Sequence, residues 1–290
     1  MVPDDQVPGW DIAGPGEHST RVTRIPYQVN AWHMRGPPLA ADKAPGERRI
    51  MVVGDSTPFG DGLTWEQTFT AALAALRQAR FPGSTYQGGN CAAPGHSSLQ
   101  SLAKLQHHCL PFGADLVLLA NQFSDASPVD QTDRDWFLRA RQGRPDGPLD
   151  QLALYRLLRN TWWARVVYAR GLPPASSIPV QRDVARGGQV ARVPLDQYRE
   201  NLLEMVELLR PTGARIVLLV LPARVDLGGD PVERAYTAHR AALHALGEEL
   251  GLEVIDGPAH FAALDPQGDW FQDEIHPSAE QGWKRSPRSR

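Results

Sequence analysis

Short apolar runs separated by amphipathic segments constrain this chain more than any other feature. Residues 49–53 read RIMVV, 114–121 ADLVLLAN and 214–221 ARIVLLVL. None alternates apolar with polar residues, as a strand with one wet face does, so each reads as a strand buried on both faces. Weaker runs at 84–90 (STYQGGN) and 252–256 (LEVID) complete a set of five. Between them lie helical periods. Trp65, Phe69, Leu73 and Leu76 share one spacing, with Thr64 and Gln67 forming a capping box at the helix start. Residues 96–110 are expected to form a second helix. Tyr198, Leu202, Val206 and Leu209 form a third stripe, and Asp230, Pro231 and Glu233 open a fourth helix. Apolar strands alternating with amphipathic helices imply an α/β domain whose parallel sheet is covered on both faces. In such a domain ligands sit beyond the carboxyl ends of the strands.

The chain has 290 residues, 42% of them hydrophobic, which suits one large α/β domain. Net charge is -3, so the basic footprint of a nucleic-acid binder is missing and no nucleic-acid partner is expected. Residues 1–48 are rich in Pro, Gly and charge and read as an extended lead-in over a domain spanning 49–280. Residues 126–194 form a long insertion, with a helix expected over 150–171. Its stripe of Leu154, Leu158, Trp162 and Val166 is read as a cap packed on the domain rather than a membrane-surface helix. Residues 281–290 form an irregular basic tail, as if the chain were truncated or shifted in frame near Gln281. Cys91 and Cys109 make no disulfide framework and no Cys-x-x-Cys pattern, so buried free thiols are expected. The first sixteen residues carry acids and prolines where a signal peptide needs a basic start and an apolar run. The expected location is cytoplasmic, or extracytoplasmic if the natural start lies upstream.

The first strong strand runs directly into GDSTPFGDG at 54–62. That places Ser56 in the loop between a strand and a helix, at the sheet rim where chemistry is done. A serine hydroxyl is a poor nucleophile until a base takes its proton, and the base works best when a carboxylate fixes its tautomer. Asp273 and His276, in DEIHPS after the last strand, supply both at a spacing that lets carboxylate and imidazole meet in one turn.

GDSTPFG together with DEIHP resembles the SGNH/GDSL hydrolase superfamily, over about residues 27–280. VNAWHMRG at 29–36 resembles the Asn-x-x-Gly-x-Arg lead-in of many bacterial members. The resemblance implies a three-layer α/β/α sandwich with a mainly parallel, flavodoxin-like sheet of five strands. It implies Ser56 as nucleophile, His276 as general base and Asp273 as its orienting partner. It also implies an oxyanion hole from the Ser56 amide, a glycine and an asparagine. NCAAPGHSS offers Gly95 as the glycine. The asparagine is displaced: gap-free spacing puts Ser124 where the family has Asn, and Asn121 lies three residues earlier. Both remain candidates. The activity implied is hydrolysis of a carboxylic ester of a small molecule, glycan or lipid, with no cofactor and no metal.

Other readings are open on the residues alone. A phosphate-binding loop needs Gly-Lys-Ser/Thr, and the chain has no lysine between Lys43 and Lys104. A metallohydrolase would draw on His96, His107 and His108, yet no His-Glu-x-x-His or carboxylate cluster appears. The displaced asparagine motivates a non-catalytic carbohydrate-binding or scaffold relative. An acyltransferase would use the same triad.

Overall fold

The computed structural model describes residues 12, 15–19, 25–142, 190–227, 236–264 and 270–278. The lead-in supplies an antiparallel hairpin, β1 (Gly16–Ser19) and β2 (Pro26–Val29). β3 (Glu47–Gly54) is followed by the one-turn helix α1 (Ser56–Phe59), a 3-10 turn at Trp65–Gln67 and α2 (Phe69–Arg80). β4 (Thr85–Asn90) leads to α3 (Ser98–Lys104), and β5 (Leu116–Ala120) to the short α4 (Phe123–Ala126). From the insertion come β6 (Pro128–Val129), α5 (Asp133–Gln142) and β7 (Val190–Ala191). Then follow α6 (Leu195–Leu209), β8 (Arg215–Val220), α7 (Thr237–Leu250), β9 (Glu253–Asp256) and α8 (Gly257–Leu264).

The central sheet has the order β4-β3-β5-β8-β9, every pair parallel, and its five strands are the five expected runs. Alternate residues of β3, β5 and β8 feed opposite cores, which is why these three strands read as unbroken apolar runs. Met51, Val53, Val117, Leu119 and Leu218 face one layer with Tyr198, Leu202, Val206 and Leu209 of α6, the whole expected stripe being buried. Ile50, Val52, Leu118, Val217 and Leu219 face the other, with Ala74 of α2. This is the α/β architecture with helices on both faces that the alternation implies.

Two expectations are corrected. The Thr64–Gln67 capping box forms, but it closes a single 3-10 turn, and α2 starts afresh at Thr68, whose hydroxyl accepts from Ala71 N. Phe69 and Leu73 of the expected stripe pack, half-buried, against the core. Thr70 and Ala74 face the core, whereas Leu76 is 58% exposed. Second, Cys91 and Cys109 are not free thiols but a disulfide, Cα–Cα 6.2 Å. Cys91 directly follows β4 and Cys109 ends a π-helical turn continuing α3, so the fold returns the second cysteine to the first. A separation of 18 residues with no local motif carried no sign of this pairing.

The helix expected at 150–171, the start expected at Asp230 and the tail 281–290 lie outside the described residues. Among the described residues no helix is long and apolar enough to cross a membrane, and no group of three or more His, Cys, Asp or Glu side chains is placed to hold a metal ion.

Candidate active site

The site begins where β3 ends. Gly54 has φ 159°, and a Cβ there would lie 2.6 Å from Pro58 Cγ and 2.7 Å from the Ala120 carbonyl oxygen. Only glycine lets the chain pass so close to the end of β5. Asp55, fully buried, caps α1: Oδ1 accepts from Thr57 N at 3.1 Å, and Oδ2 from Phe123 N and Ser124 N at 3.1 and 3.2 Å. Burial raises its pKa against those amide hydrogen bonds. Its carboxyl group therefore ties the turn after β3 to the turn after β5. Ser56 follows as the first residue of α1, half-buried at the carboxyl rim of the sheet. Gly60, with φ 78°, ends the turn.

A buried arginine holds the far side of the turn. Arg35 Nη1 donates to the carbonyls of Phe59 and Gly60, each at 2.9 Å, and Nη2 to that of Leu63. Burial lowers its pKa to about 10 despite the pull of Asp61. Asn30 Oδ1 shapes the preceding bend by accepting from Trp32 N and Met34 N. His33 in that bend has φ 54°, a left-handed conformation, where the Asn-x-x-Gly-x-Arg pattern carries glycine.

After β9 and α8 the chain returns over α1. Asp273 Oδ1 accepts from Ile275 N and His276 N at 2.9 and 2.8 Å, while Oδ2 lies 2.8 Å from His276 Nδ1. His276 Nε2 lies 2.8 Å from Ser56 Oγ. An ionised carboxylate can only accept, so Nδ1 carries the proton and Nε2 accepts from the serine hydroxyl. The loop is fixed independently of these three groups. Thr57 Oγ1 donates to Ile275 O at 3.2 Å, Gln272 Nε2 to Asp61 O at 2.9 Å, and Arg224 N to Glu274 O at 2.8 Å.

Burial of the imidazole opposes its charged form, but the hydrogen bond and charge of Asp273, joined by Asp61 and Asp55, hold the His276 pKa above its ordinary value. Partial burial pushes Asp273 upward, yet His276 and the two amides outweigh it and bring its pKa down to about 2. Carboxylate, imidazole and hydroxyl thus form one chain of hydrogen bonds able to draw the proton from Ser56 Oγ.

Gly95, half-buried at φ 73°, sits in the loop between β4 and α3, its carbonyl accepting from Arg192 Nη1 at 2.7 Å. Arg192 Nε donates to Asp133 Oδ1 and Nη2 to Gln100 Oε1, each at 2.8 Å. Arg192 stands just past β7, where the insertion rejoins the domain, and no motif marks it. The signal available in the sequence was an arginine between Ala191 and Val193. Among the described residues no hydrogen bond links Asn121 to Ser56. Asn121 is fully buried, its Nδ2 donating to Ser101 Oγ at 3.0 Å and its carbonyl accepting from Tyr198 Oη at 2.6 Å. The Ser124 N–H is taken up by Asp55 Oδ2. Asp125 turns inward, its Oδ1 accepting from Ser98 N at 2.8 Å.

No family model matches the chain, and no curated protein matches it in sequence. Solved structures do share the fold. LAE5, an alpha/beta hydrolase enzyme from the metagenome of Lake Arreo, Spain, is 17% identical, with 80% of this chain and 88% of that one covered at a TM-score of 0.51. The acetyl xylan esterase AlAXEase is 11% identical over 80% and 92% of the two chains, TM-score 0.50. A mutant of Axe2, an acetyl-xylooligosaccharide esterase from Geobacillus, is 16% identical over 80% and 87%, TM-score 0.50. At these identities the likeness is one of fold.

Proposed function

We propose that this protein is a serine esterase of the SGNH/GDSL type, an acylhydrolase that cleaves a carboxylic ester through an acyl-enzyme. The observation that carries the reading is the run from Asp273 Oδ2 through His276 to Ser56 Oγ, both contacts 2.8 Å. Ser56 Oγ attacks the ester carbonyl as His276 Nε2 takes its proton, and Asp273 keeps the Nδ1–H tautomer and stabilises the imidazolium. The Ser56 and Gly95 amides receive the oxyanion. The alcohol departs with the proton from His276. Water, deprotonated by the same nitrogen, then releases the carboxylic acid and restores Ser56.

Asn121 is not assigned to the oxyanion hole because its Nδ2 is directed at Ser101; the Ser124 backbone N–H is taken by Asp55, which leaves the Ser124 hydroxyl as the group that residue can offer. Two structures of the same fold belong to proteins named as esterases of acetylated xylan or xylooligosaccharides, which supports an ester with a small acyl group. Glycan, lipid and small-molecule esters are the substrate classes to screen. No cofactor takes part in these steps.

A fluorophosphonate probe tests the nucleophile without a known substrate. The unaltered chain is expected to be labelled on the peptide carrying Ser56 and to hydrolyse p-nitrophenyl acetate, with Ser56→Ala doing neither. If the folded protein takes no label and cleaves no ester, a non-catalytic binder replaces the esterase. The engagement of the Asn121 amide with Ser101 is the observation that favours this second reading.

A further inference from the structure

On the outer side of the Ser56 turn, between the β1–β2 hairpin and the 3-10 turn at Trp65–Gln67, lies a groove of about 610 Å³. That volume is in the range of small-molecule sites, ~300–1,000 Å³. Two aromatic rings line it, Tyr27 and Trp65, and both are held from behind. A Cβ on Gly36 would come within 3.1 Å of Trp65 Cη2, and one on Gly88 within 3.6 Å of Cζ2. The six-membered edge of the indole thus rests on the backbone of two residues without side chains. Tyr27 meets Phe59 edge-on at 5.5 Å, and the buried Arg35 guanidinium lies 5.6 Å from its ring centre. Rings fixed in this way lose little entropy when a ligand stacks on them.

The polar groups of the groove are acceptors more than donors. Glu17 and Glu66 line it as acceptors only, beside His18, Gln28 and Thr64, which can do both, Gln28 Nε2 donating to Glu17 Oε1 at 3.5 Å. No Lys or Arg is among the described residues lining the groove, so a phosphate, sulfate or carboxylate would meet two carboxylates with no guanidinium or ammonium group facing it. An alkyl chain would strand those carboxylates. A cation stacked on Tyr27 is disfavoured because the buried Arg35 guanidinium already lies 5.6 Å from the centre of that ring. What remains is an uncharged molecule with apolar ring faces for the aromatic pair and hydroxyls to donate to the carboxylates, since O–H to carboxylate is among the stronger hydrogen bonds. We propose that this groove is a binding site for a neutral saccharide. It concerns binding alone and does not depend on Ser56 acting on esters.

The test is calorimetric titration of the full chain carrying Ser56→Ala, so that nothing is turned over, with xylohexaose, cellohexaose, choline and hexanoate in separate runs. Saturable binding of a neutral hexasaccharide with Kd on the order of 0.1–1 mM is expected, with neither charged probe binding as tightly. Trp65→Ala is expected to weaken it at least about tenfold. Because Trp65 also packs on the backbone, Tyr27→Ala and Glu17→Gln are titrated as well, each checked for native circular dichroism, and each is expected to weaken binding several-fold. Two results overturn the proposal: neither hexasaccharide saturates below about 10 mM, or one binds equally well after folded Trp65→Ala, Tyr27→Ala and Glu17→Gln. Tighter binding of choline would make the groove a cation site.

Discussion

Arg192 donates to the Gly95 carbonyl across 97 residues of sequence, Nη1 to O at 2.7 Å. The guanidinium is 4% exposed and also serves Asp133 and Gln100. Its backbone is fixed too, Arg192 N donating to Ser127 O and Asp133 N to Arg192 O. Asp133 Oδ2 in turn accepts from Ser97 Oγ at 2.6 Å, so Gly95 and Ser97, at the end of the loop that enters α3, are both held by one ion pair. An oxyanion donor works because it is already in place when charge develops.

Replacing Arg192 with alanine is therefore expected to lower kcat on p-nitrophenyl acetate by about 10–100-fold, with a smaller change in KM, since the hole is needed in the transition state more than in the ground state. It also leaves Asp133 buried without its cation, a loss of about 3–5 kcal/mol in stability for such pairs. Lysine is expected to rescue little, because one ammonium cannot span three acceptors set in a guanidinium fork. Kinetics on material checked for folding decide the matter: kcat within twofold of the unaltered protein would remove Arg192 from the mechanism.

The pH profile follows from the His276–Asp273 pair. The base must be neutral to accept the Ser56 proton, and its pKa lies above the ordinary 6.5, so kcat/KM is expected to rise with pH through a midpoint above 6.5. Asp273, with a pKa of about 2, stays ionised throughout that range and adds no second limb. Asp273→Asn removes the main force raising the His276 pKa. The midpoint should move to lower pH while kcat falls on the order of 10⁴-fold through loss of the productive tautomer. A midpoint that stays put in the variant would separate His276 from Asp273 in function.

Asn121 gives a prediction of opposite kind. A side chain that bonds the oxyanion costs about 10²–10³ in kcat when removed. Asn121 instead bonds Ser101, so Asn121→Ala is expected to change kcat by less than about threefold while lowering stability by about 1–2 kcal/mol. A loss of two decades in kcat with stability intact would return Asn121 to the hole.

What could be read from the sequence was what is written locally. A strand buried on both faces needs an unbroken apolar run, so β3, β5 and β8 were plain, and β4 and β9 followed from the alternation with helices, which placed the rim where Ser56 sits. Asp273 and His276 were visible because they stand three positions apart in one loop. The misses were relations over distance or an element boundary. The Cys91–Cys109 pair depends on where the turn after α3 ends, and Arg192 on how the insertion rejoins the domain. The start of α2 was misread because a capping box that matches its pattern served one turn only, with Thr68 restarting the helix. The partner of the Asn121 amide, Ser101 of α3, is likewise a contact over distance that no local motif marks.

The disulfide predicts a measurable share of the stability. Closing a loop of 18 residues is worth about 3 kcal/mol in the chain-entropy account. The double variant Cys91→Ala, Cys109→Ala is thus expected to melt about 6–12 °C lower, taking roughly 2–4 °C per kcal/mol for a domain of this size. Both sulfurs are buried, so thiol titration of the unreduced native and denatured protein should find none. Two titratable thiols after denaturation without reductant would contradict the pairing.

Asp125 sets a pH dependence of folding separate from that of catalysis. It is fully buried, and its Oδ2 has no hydrogen-bond partner. Burial raises its pKa to about 7 against the hydrogen bonds from Ser98, the charge of Asp55 adding to the rise. An unfolded aspartate titrates near 3.9, so between roughly pH 4 and 7 the folded protein keeps a proton that the unfolded chain has released. Stability from this group therefore falls as pH rises through that window, by a few kcal/mol in order of magnitude, and is flat above it. Asp125→Asn keeps an oxygen for Ser98 N and cannot ionise. Its Tm should vary less between pH 4 and 7 than that of the unaltered protein, compared in parallel scans. Equal slopes in the two proteins would mean that Asp125 ionises in the folded state as readily as in the unfolded one.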